Sequence, residues 1–355
     1  MELVQTYLRM QRVWKNLSGK SAKKILAEEQ VWMDAHSQDP PQREMEAWLR
    51  KTEKDEKVRS FREWVNRKKN FVLFPEDDLF PNLLREIPDP PALLYGRGEP
   101  GGLNRFLMAV IGTRRPSSYG LDVAYRFSRE MAGEGVGIVS GLALGIDGSS
   151  HRGCLDGGGY TVAVLGSGPD RIYPSANAAL ADRILLKGCL LSEYGPGVPP
   201  LAYHFRERNR LISGLSRGVL VTEARKKSGT MNTVSHAASQ GRDVFAVPGN
   251  INQPRSEGCH ELIQNGAKLV ASLEDLRREF PDWPKDEARE GRGTPSLTKT
   301  SSHVYDMLLN GPRSFEEIQQ AGNYEYSQLW MVLTKLEMTG RIFRNSSGFY
   351  EIYSS

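Results

Sequence analysis

The sequence lacks the features that define several common protein classes. Its longest apolar runs are about five or six residues, far short of the ~20 that a membrane helix needs, and its first residues have neither the apolar stretch nor the cleavage site of a signal peptide. The three cysteines (Cys154, Cys189, Cys259) lie far apart without a C-x-x-C pair, which argues against a disulfide framework and a zinc site. We therefore predict a cytoplasmic protein without membrane segments, and 355 residues predict two or three domains.

Motifs for catalysis are also scarce. The sequence has no Walker lysine motif and no nucleophile-elbow sequence, and its six histidines show no paired metal-ligand spacing. The segment "VAVLGSGPDRIYPSAN" begins like a dinucleotide fingerprint with Gly166 and Gly168, but Arg171 takes the place of the third glycine. These absences argue against an ATPase, an NAD enzyme, a serine hydrolase and a metal site.

The positive charge of the chain is unevenly distributed. The net charge is only +4 at pH 7, and residues 1–70 account for the whole excess. Apolar residues at three-to-four spacing predict helices for "SAKKILAEEQVWMDAH" and for "QREMEAWLRKTEKDEKVRSFREWVNRK", so residues 1–70 are predicted to form a helical domain. Because acids are interleaved with the cations of the second helix, a solvated amphipathic helix is favoured over a nucleic-acid-binding arm.

The sequence pattern changes after residue 70. From there on, short apolar runs alternate with segments that are predicted to be helical. Six runs end in small or polar residues: "FLMAVIGT", "GVGIVSG", "YTVAVLGSG", "GCLLSEYG", "GVLVTEA" and "DVFAVPG". Nearly continuous apolarity is typical of strands that are covered on both faces. The alternation predicts an α/β fold with a doubly wound parallel sheet inside a domain of residues 71–280, with ligands bound at the carboxyl ends of the strands.

The C-terminal part of the chain is predicted to be a separate small domain. Residues 281–300 mix Pro, Gly, Ser and charge without periodicity, which predicts a flexible linker. Residues 301–355 predict three helices followed by a hairpin, the layout of a winged helix. The candidate recognition helix, "YSQLWMVLTKLEMTG", has Lys335 as its only cation, with Glu337 close by, so a packing or protein-partner role is favoured over the reading of duplex DNA.

The most informative stretch is "HFRERNRLISGLSRGVLVTEARKKSGT", residues 204–230, where seven Arg and Lys residues face only Glu207 and Glu223. Cations that follow a phosphate backbone, beside aromatic rings on which bases stack, are typical of single-stranded nucleic acid binding. An alternative stays open, in which Arg208 and Arg210 pair with Glu193 or Glu223 inside the domain. The candidate DNA-binding residues here are Tyr203, Phe205, Arg206, Arg208, Asn209, Arg210, Lys226, Lys227, Ser228, Gly229 and Thr230.

Two other loops add candidates. "VIGTRRPSSYG" places Arg114 and Arg115 between a strand and a helix, where a phosphate could dock, although a tight turn with solvated arginines is the alternative. "VSGLALGIDGSSH" adds Ser140 and Gly141, and its glycines permit close approach of a ligand or simply of other backbone. Asp147 and His151 in the same segment are interpreted as a helix N-terminal contact or a surface pair rather than as an acid/base pair.

These motifs closely resemble the DNA-processing protein A family, also called Smf. The resemblance runs from "PNLLREIPDPPALLYGRG" to "CHELIQNGA", about half of the chain, and includes "IGTRRPSSYG", "SGLALGID", "VAVLGSGPDRIYP", "SEYGPGVPP", "FRERNRLISGLS", "TEARKKSGT" and "GRDVFAVPG" in family order. It implies an extended Rossmann-like domain, flanked by a helical domain and a winged helix, that binds single-stranded DNA without catalysis, metal or cofactor. It also implies a homodimer that protects incoming strands in natural transformation, helps to displace single-strand-binding protein and loads the RecA recombinase.

The resemblance also implies where the DNA binds. Carried over to the matching positions, it implies a positively charged pocket that includes Arg114, Phe205, Arg208, Asn209 and Arg210, with Lys226 or Lys227 and Ser228 to Thr230 nearby.

Two competing functions are considered. The fold also resembles nucleotide-phosphate phosphoribohydrolases, but in "KSGTMNT" Thr233 stands where their catalytic glutamate would fall, so a nucleotide-sensing role without catalysis is the form of this alternative that survives. The other is a duplex-DNA regulator that uses only the winged helix.

Overall fold

The structure, a computed structural model, describes residues 2–18, 20, 22–36, 41–52, 54–284, 299–309, 311–338, 342–345 and 348–352. The chain divides into two compact units, residues 1–285 and 286–355, and each is described here by itself. Within the described ranges, no helix is both long and apolar enough to cross a membrane.

Four helices precede the sheet. They are α1 (Glu2–Leu17), α2 (Ala22–Ala35), α3 (Gln42–Thr52) and α4 (Glu56–Val65). The prediction of one continuous helix over residues 42–68 is wrong, because the backbone leaves the helix after Thr52 and Asp55 starts a new one. Its carboxylate accepts the backbone N–H of Lys57 at 2.8 Å, which satisfies a donor at the start of α4.

A nine-stranded sheet forms the centre of the first unit. Its strands are β1 (Asn70–Leu73), β2 (Leu94–Gly98), β3 (Leu107–Ile111), β4 (Gly137–Ser140), β5 (Thr161–Val164), β6 (Cys189–Ser192), β7 (Gly218–Val221), β8 (Asp243–Ala246) and β9 (Lys268–Leu269). They lie in the order β1-β2-β6-β5-β4-β3-β7-β8-β9. The six predicted strands are all present and parallel, as expected. The sheet is larger than predicted, since β9 extends it in parallel and β1 and β2 add an antiparallel pair beside β6.

Helices cover both faces of the sheet. They are α5 (Asn82–Arg85), α6 (Ser118–Gly133), α7 (Ile146–Asp156), α8 (Ala178–Lys187), α9 (His204–Gly214), α10 (Gly229–Ser239), α11 (Glu257–Gln264) and α12 (Leu273–Arg277). Alternate residues of β3 enter opposite cores: Leu107, Ala109 and Ile111 pack with residues of α9, α10 and α11, whereas Met108 and Val110 pack with residues of α6, α7 and α12. This two-sided burial explains the continuous apolar runs in the sequence.

The four N-terminal helices are part of the first unit. Val13 of α1 and Phe61 and Trp64 of α4 share a buried cluster with Phe74 and with Tyr95 of β2. The N-terminal helices thus cover the antiparallel side of the sheet. The domain boundaries proposed from the sequence stay predictions.

In its described residues, the second unit contains three helices and a hairpin. The elements are α13 (Lys299–Leu309), α14 (Phe315–Gly322), α15 (Tyr326–Met338), β10 (Ile342–Arg344) and β11 (Tyr350–Ile352), with the two strands antiparallel. This order agrees with the predicted elements, and their assignment to the winged-helix class stays a prediction. The predicted linker falls mainly on residues 285–298, outside the described residues, and at its start Trp283 is buried beside Phe280.

Candidate nucleic-acid interface

A cleft of about 740 Å³ opens at the carboxyl ends of β3 and β7, where the strand order of the parallel sheet reverses. This is the position at which ligands bind in open α/β sheets. The cleft brings together residues from distant parts of the chain, from Ile111 at the end of β3 to Thr233 in α10. The predicted site residues that line it are Arg114, Arg115, Phe205, Arg206, Arg208, Asn209, Ser228, Gly229 and Thr230.

The loop that bears Arg114 is anchored to the end of β7. The Glu223 carboxylate accepts hydrogen bonds from the backbone N–H and the hydroxyl of Ser117, both at 2.8 Å, and its backbone carbonyl accepts the N–H of Thr113. Glu223 is therefore occupied by this loop, and the alternative in which it pairs with Arg208 or Arg210 is wrong. The loop presents Arg114 on the cleft side.

Phe205 forms the aromatic surface of the cleft. The guanidinium carbon of Arg114 lies 5.7 Å from the centroid of the Phe205 ring, and the ring of Tyr173 lies 5.5 Å away, tilted by 43°. Tyr173 is 49% exposed and lines the cleft. The sequence prediction missed Tyr173 because "DRIYP" was considered as part of a failed dinucleotide fingerprint and of a family motif, but not for its aromatic ring. The signal was an aromatic residue in the loop after a predicted strand.

Arg208 supports this surface from behind. Its side chain is only 4% exposed, donates to the carbonyl oxygen of Gly141 at 2.9 Å and also donates to the carbonyl of Val164. Its guanidinium carbon lies 5.9 Å from the centroid of the Phe205 ring. Burial lowers the pKa of Arg208 to about 10, so it remains a cation at neutral pH.

The buried carboxylate of Asp147 lies on the same side of Gly141 as Arg208. A Cβ built on Gly141 would approach Arg208 Nη2 to 2.6 Å and Asp147 Oδ2 to 2.8 Å, so both groups occupy the space that a side chain at this position would need. Asp147 accepts the N–H groups of Gly141 and Ala143 at 3.1 and 3.4 Å, while burial raises its pKa. Gly141 and Asp147 therefore build the support under the cleft floor.

His151 does not work with Asp147 in the cleft. Its ring is fully buried, and Nδ1 lies 2.8 Å from the hydroxyl of Thr161. Burial lowers the pKa of His151 to about 3 and keeps the ring neutral. The surface-pair interpretation is wrong, because both side chains are buried. Asp147 does lie in the first turn of α7, but its carboxylate accepts N–H groups from the loop before the helix.

Arg210 points away from the cleft. Its Nη2 lies 2.5 Å from Glu193 Oε2, and its Nε lies 3.3 Å from Asp89 Oδ2. The alternative in which Arg210 pairs with Glu193 is confirmed. Residues two positions apart on a helix project about 200° from each other, so Arg208 points to a different side of α9 from Arg206 and Arg210. Arg206 is exposed, whereas Arg208 is buried and Arg210 is buried against Glu193.

The other predicted site residues do not line the cleft either. Ser140 is buried and donates to the carbonyl of Val110 at 2.7 Å, and Tyr203 is exposed just before α9. Lys226 forms an ion pair with Glu261 at 3.1 Å and lines a smaller cavity of about 350 Å³. Lys227 is exposed and lines neither cavity.

The cation that does line the cleft in this loop is Arg225, which the sequence prediction did not single out. The doublet Lys226–Lys227 drew attention because it continues the basic run. The fold instead directs the residue before that doublet into the cleft.

The start of α10 forms one wall. Ser228 precedes the helix with its hydroxyl oxygen buried, and among the described residues that hydroxyl has no hydrogen-bond partner. A Cβ built on Gly229 would meet no atom within 4 Å, so the backbone there is open to a ligand. The first N–H groups of a helix carry partial positive charge and suit an anion.

Fold and cleft together define the class of this protein: a Rossmann-like α/β protein with a large, mostly parallel sheet and an arginine-rich, aromatic cleft at its carboxyl edge. Residues 71–281 match the family described as DNA recombination-mediator protein A. The chain belongs to this family, and the resemblance predicted from its motifs is confirmed.

Two curated proteins of this family are similar in sequence to the chain. The DNA processing protein DprA of Streptococcus pneumoniae is 47% identical over 216 residues, which cover 60% of this chain and 76% of that protein. The protein Smf of Escherichia coli is 44% identical over 251 residues, which cover 70% of this chain and 67% of that protein.

Two solved structures are similar as well. The X-ray structure of DprA from S. pneumoniae aligns with a TM-score of 0.66 at 37% identity and covers 77% of this chain and 98% of that one. A structure from Helicobacter pylori, described as giving insight into the single-stranded DNA binding mode of DNA processing protein A, aligns with a TM-score of 0.54 at 31% identity. It covers 59% of this chain and 95% of that one.

Proposed function

We propose that the cleft binds single-stranded DNA and that the protein acts as a recombination mediator. The observation that carries this proposal is the ring pair of the exposed Tyr173 and the half-buried Phe205, which both line the cleft beside Arg114. A base can stack on such rings only when it is not already stacked in a duplex, so the site favours single strands.

Free positive charge surrounds the rings. Within the described residues, the side chains of four arginines that line the cleft make no hydrogen bond and no ion pair with protein groups; they are Arg114, Arg115, Arg206 and Arg225. Unpaired cations on a surface attract phosphates, and binding releases the counterions of the DNA. The start of α10 adds backbone donors that suit one more phosphate.

The cleft is poorly suited to hydrolysis. Asp147 is the only carboxylate among its lining residues, and backbone N–H groups hold it. Thr233, which stands where a phosphoribohydrolase would have its glutamate, is buried and lines the same cleft. Among the described lining residues, no carboxylate besides Asp147 is available to stabilise an oxocarbenium ion, which supports binding without catalysis.

We also propose a wider role, which membership of the family supports. A member of this family that covers single strands in the cytoplasm would act on DNA taken up in natural transformation, protecting it and passing it to the RecA recombinase as single-strand-binding protein is displaced. We include a homodimer formed through the sheet domain in this proposal. A site that holds phosphates and stacks any base is suited to transient, sequence-independent coverage.

The double substitution Arg114→Ala with Arg225→Ala tests the phosphate contacts. We expect weaker binding of a labelled single strand, and a slope of log affinity against log salt that is smaller by about 1 for each lost contact. Fluorescence anisotropy at several salt concentrations measures both quantities.

The matched control is Lys187→Ala, which removes an exposed cation at the end of α8, outside the cleft. It should leave affinity and slope unchanged. Equal losses in both variants would show that binding depends only on total charge. Competition by a mononucleotide as strong as that by the single strand would favour nucleotide sensing.

A further inference from the structure

Helix α15 in the second unit has an apolar face that its own core does not use. Leu329, Leu333 and other residues of this helix are buried in that core. On its outer side, Tyr326 is 62% exposed, Trp330 is 50% exposed and Met331 is 66% exposed. Large exposed apolar side chains that occur together mark interaction surfaces more often than isolated ones do.

The start of α14 holds this surface in place. The ring of Phe315 lies 4.9 Å from that of Tyr326 and 6.4 Å from that of Trp330. Phe315 itself is buried, so the two exposed rings rest on a fixed base. We refer to Phe315, Tyr326, Trp330 and Met331 as the aromatic patch.

Acidic residues surround the aromatic patch. Residues 315–338 contain four glutamates and a single lysine. Glu316, Glu325 and Glu337 are exposed, and none of them forms an ion pair with a described residue. Glu316 directly follows Phe315 and Glu325 directly precedes Tyr326, while Glu337 lies seven positions after Trp330 and therefore on the same face of α15. Arg344, the cation described on this side of the unit, lies over the ring of Tyr350 at 5.7 Å, outside the patch.

The charge of this surface decides between classes of partner. DNA phosphates would be repelled, so the helix is poorly suited to the duplex-reading role of a recognition helix. A second copy of the chain is also disfavoured, because a two-fold contact would set the same acidic residues against each other. The remaining fit is a polypeptide with apolar anchors and positive charge.

We propose that the aromatic patch is a docking surface for a partner protein that presents a basic amphipathic helix. The apolar side chains of the partner's helix pack on Trp330 and Met331, and the Lys or Arg side chains of that helix face Glu316 and Glu337. Exposed Trp and Tyr residues are frequent energetic centres of interfaces, while charge complementarity selects the partner and aligns it.

The test uses the full chain and a labelled synthetic peptide made of leucine and lysine. The leucines are placed at three-to-four spacing, so that the peptide forms a helix with one apolar face and one basic face. We expect binding by fluorescence anisotropy, and a loss of about tenfold or more for Trp330→Ser with Met331→Ser. The control is Leu309→Ser, which removes an equally exposed apolar side chain from α13 and should leave binding unchanged. A matched peptide with glutamate in place of lysine should not bind.

A charge reversal makes the test independent of any folding defect in the serine variant. Glu316→Lys with Glu337→Lys should reject the lysine peptide and accept the glutamate peptide. Equal binding by the patch variant and the native chain would overturn the proposal, as would binding of both peptides by the native chain. Loss of duplex DNA binding in the patch variant would also overturn it in favour of a DNA-reading helix.

Discussion

Replacing Arg208 with alanine is expected to destabilise the fold before it affects any ligand. The substitution removes the donor that satisfies the buried carbonyls of Gly141 and Val164 and a cation that acts on the buried carboxyl of Asp147. Each buried acceptor left without its donor costs about 1–3 kcal/mol. The midpoint of thermal unfolding should therefore fall by roughly 10 °C or more.

The matched control lies two residues away on the same helix. Arg206→Ala removes an exposed guanidinium that makes no hydrogen bond or ion pair within the described residues, so its unfolding midpoint should stay at the native value. If Arg208→Ala were as stable as Arg206→Ala, Arg208 would not be the buried support described above. DNA binding by Arg208→Ala alone is consequently a poor measure of phosphate contacts.

Replacing Phe205 with alanine is expected to weaken the binding of single strands by about tenfold to a hundredfold, because stacking on an aromatic ring contributes about 1–3 kcal/mol per base. The ring also provides the surface beside Arg114 and Tyr173. The salt dependence of binding should change little, since no charge is removed. Anisotropy titrations at two salt concentrations separate the two effects.

Tyr203→Ala provides the control for this change. Tyr203 is an exposed aromatic residue only two positions before Phe205, but it does not line the cleft. Its replacement should leave affinity at the native level, whereas Phe205→Trp should retain most of it. An equal loss for Tyr203→Ala and Phe205→Ala would place the stacking surface elsewhere on the loop.

The sequence predicted the sheet well where apolar runs were uninterrupted. Strands β3 to β7 are four or five residues long and fully buried, and β8 is buried in its second half, so each left a clear signal. Strand β2 escaped prediction because "LYGRG" places an arginine and two glycines within five residues, and β9 escaped because it has only two residues. Such strands are held by their neighbours in the sheet rather than by their own composition.

The sequence predicted which residue types form the site, but not the directions in which their side chains point. The sequence placed arginines on the segment of α9, yet only the fold shows that Arg208 meets Gly141 and Val164 and that Arg210 meets Asp89. These partners lie more than 40 residues away along the chain. Sequence spacing alone cannot tell a cation that is free for phosphate from one that is used inside the protein.

The two units have different surfaces, and each surface suits a different kind of partner. The first unit offers unpaired arginines beside aromatic rings, which suits a polyanion whose bases are unstacked. The second unit offers aromatic residues among glutamates, which suits a basic polypeptide. A protein that holds DNA with one surface and a protein partner with another is well equipped to mediate a transfer between them.

We propose above that single-stranded DNA lies in the cleft, with one base stacked on the rings of Tyr173 and Phe205. The most direct test is to cross-link the native chain to a single strand that carries photoreactive 4-thiothymidine and to map the attachment sites by mass spectrometry. The account predicts cross-links on the peptides that contain Tyr173 and Phe205, which disappear when unlabelled single strand competes. Cross-links confined to the basic N-terminal helices or to the second unit would contradict it.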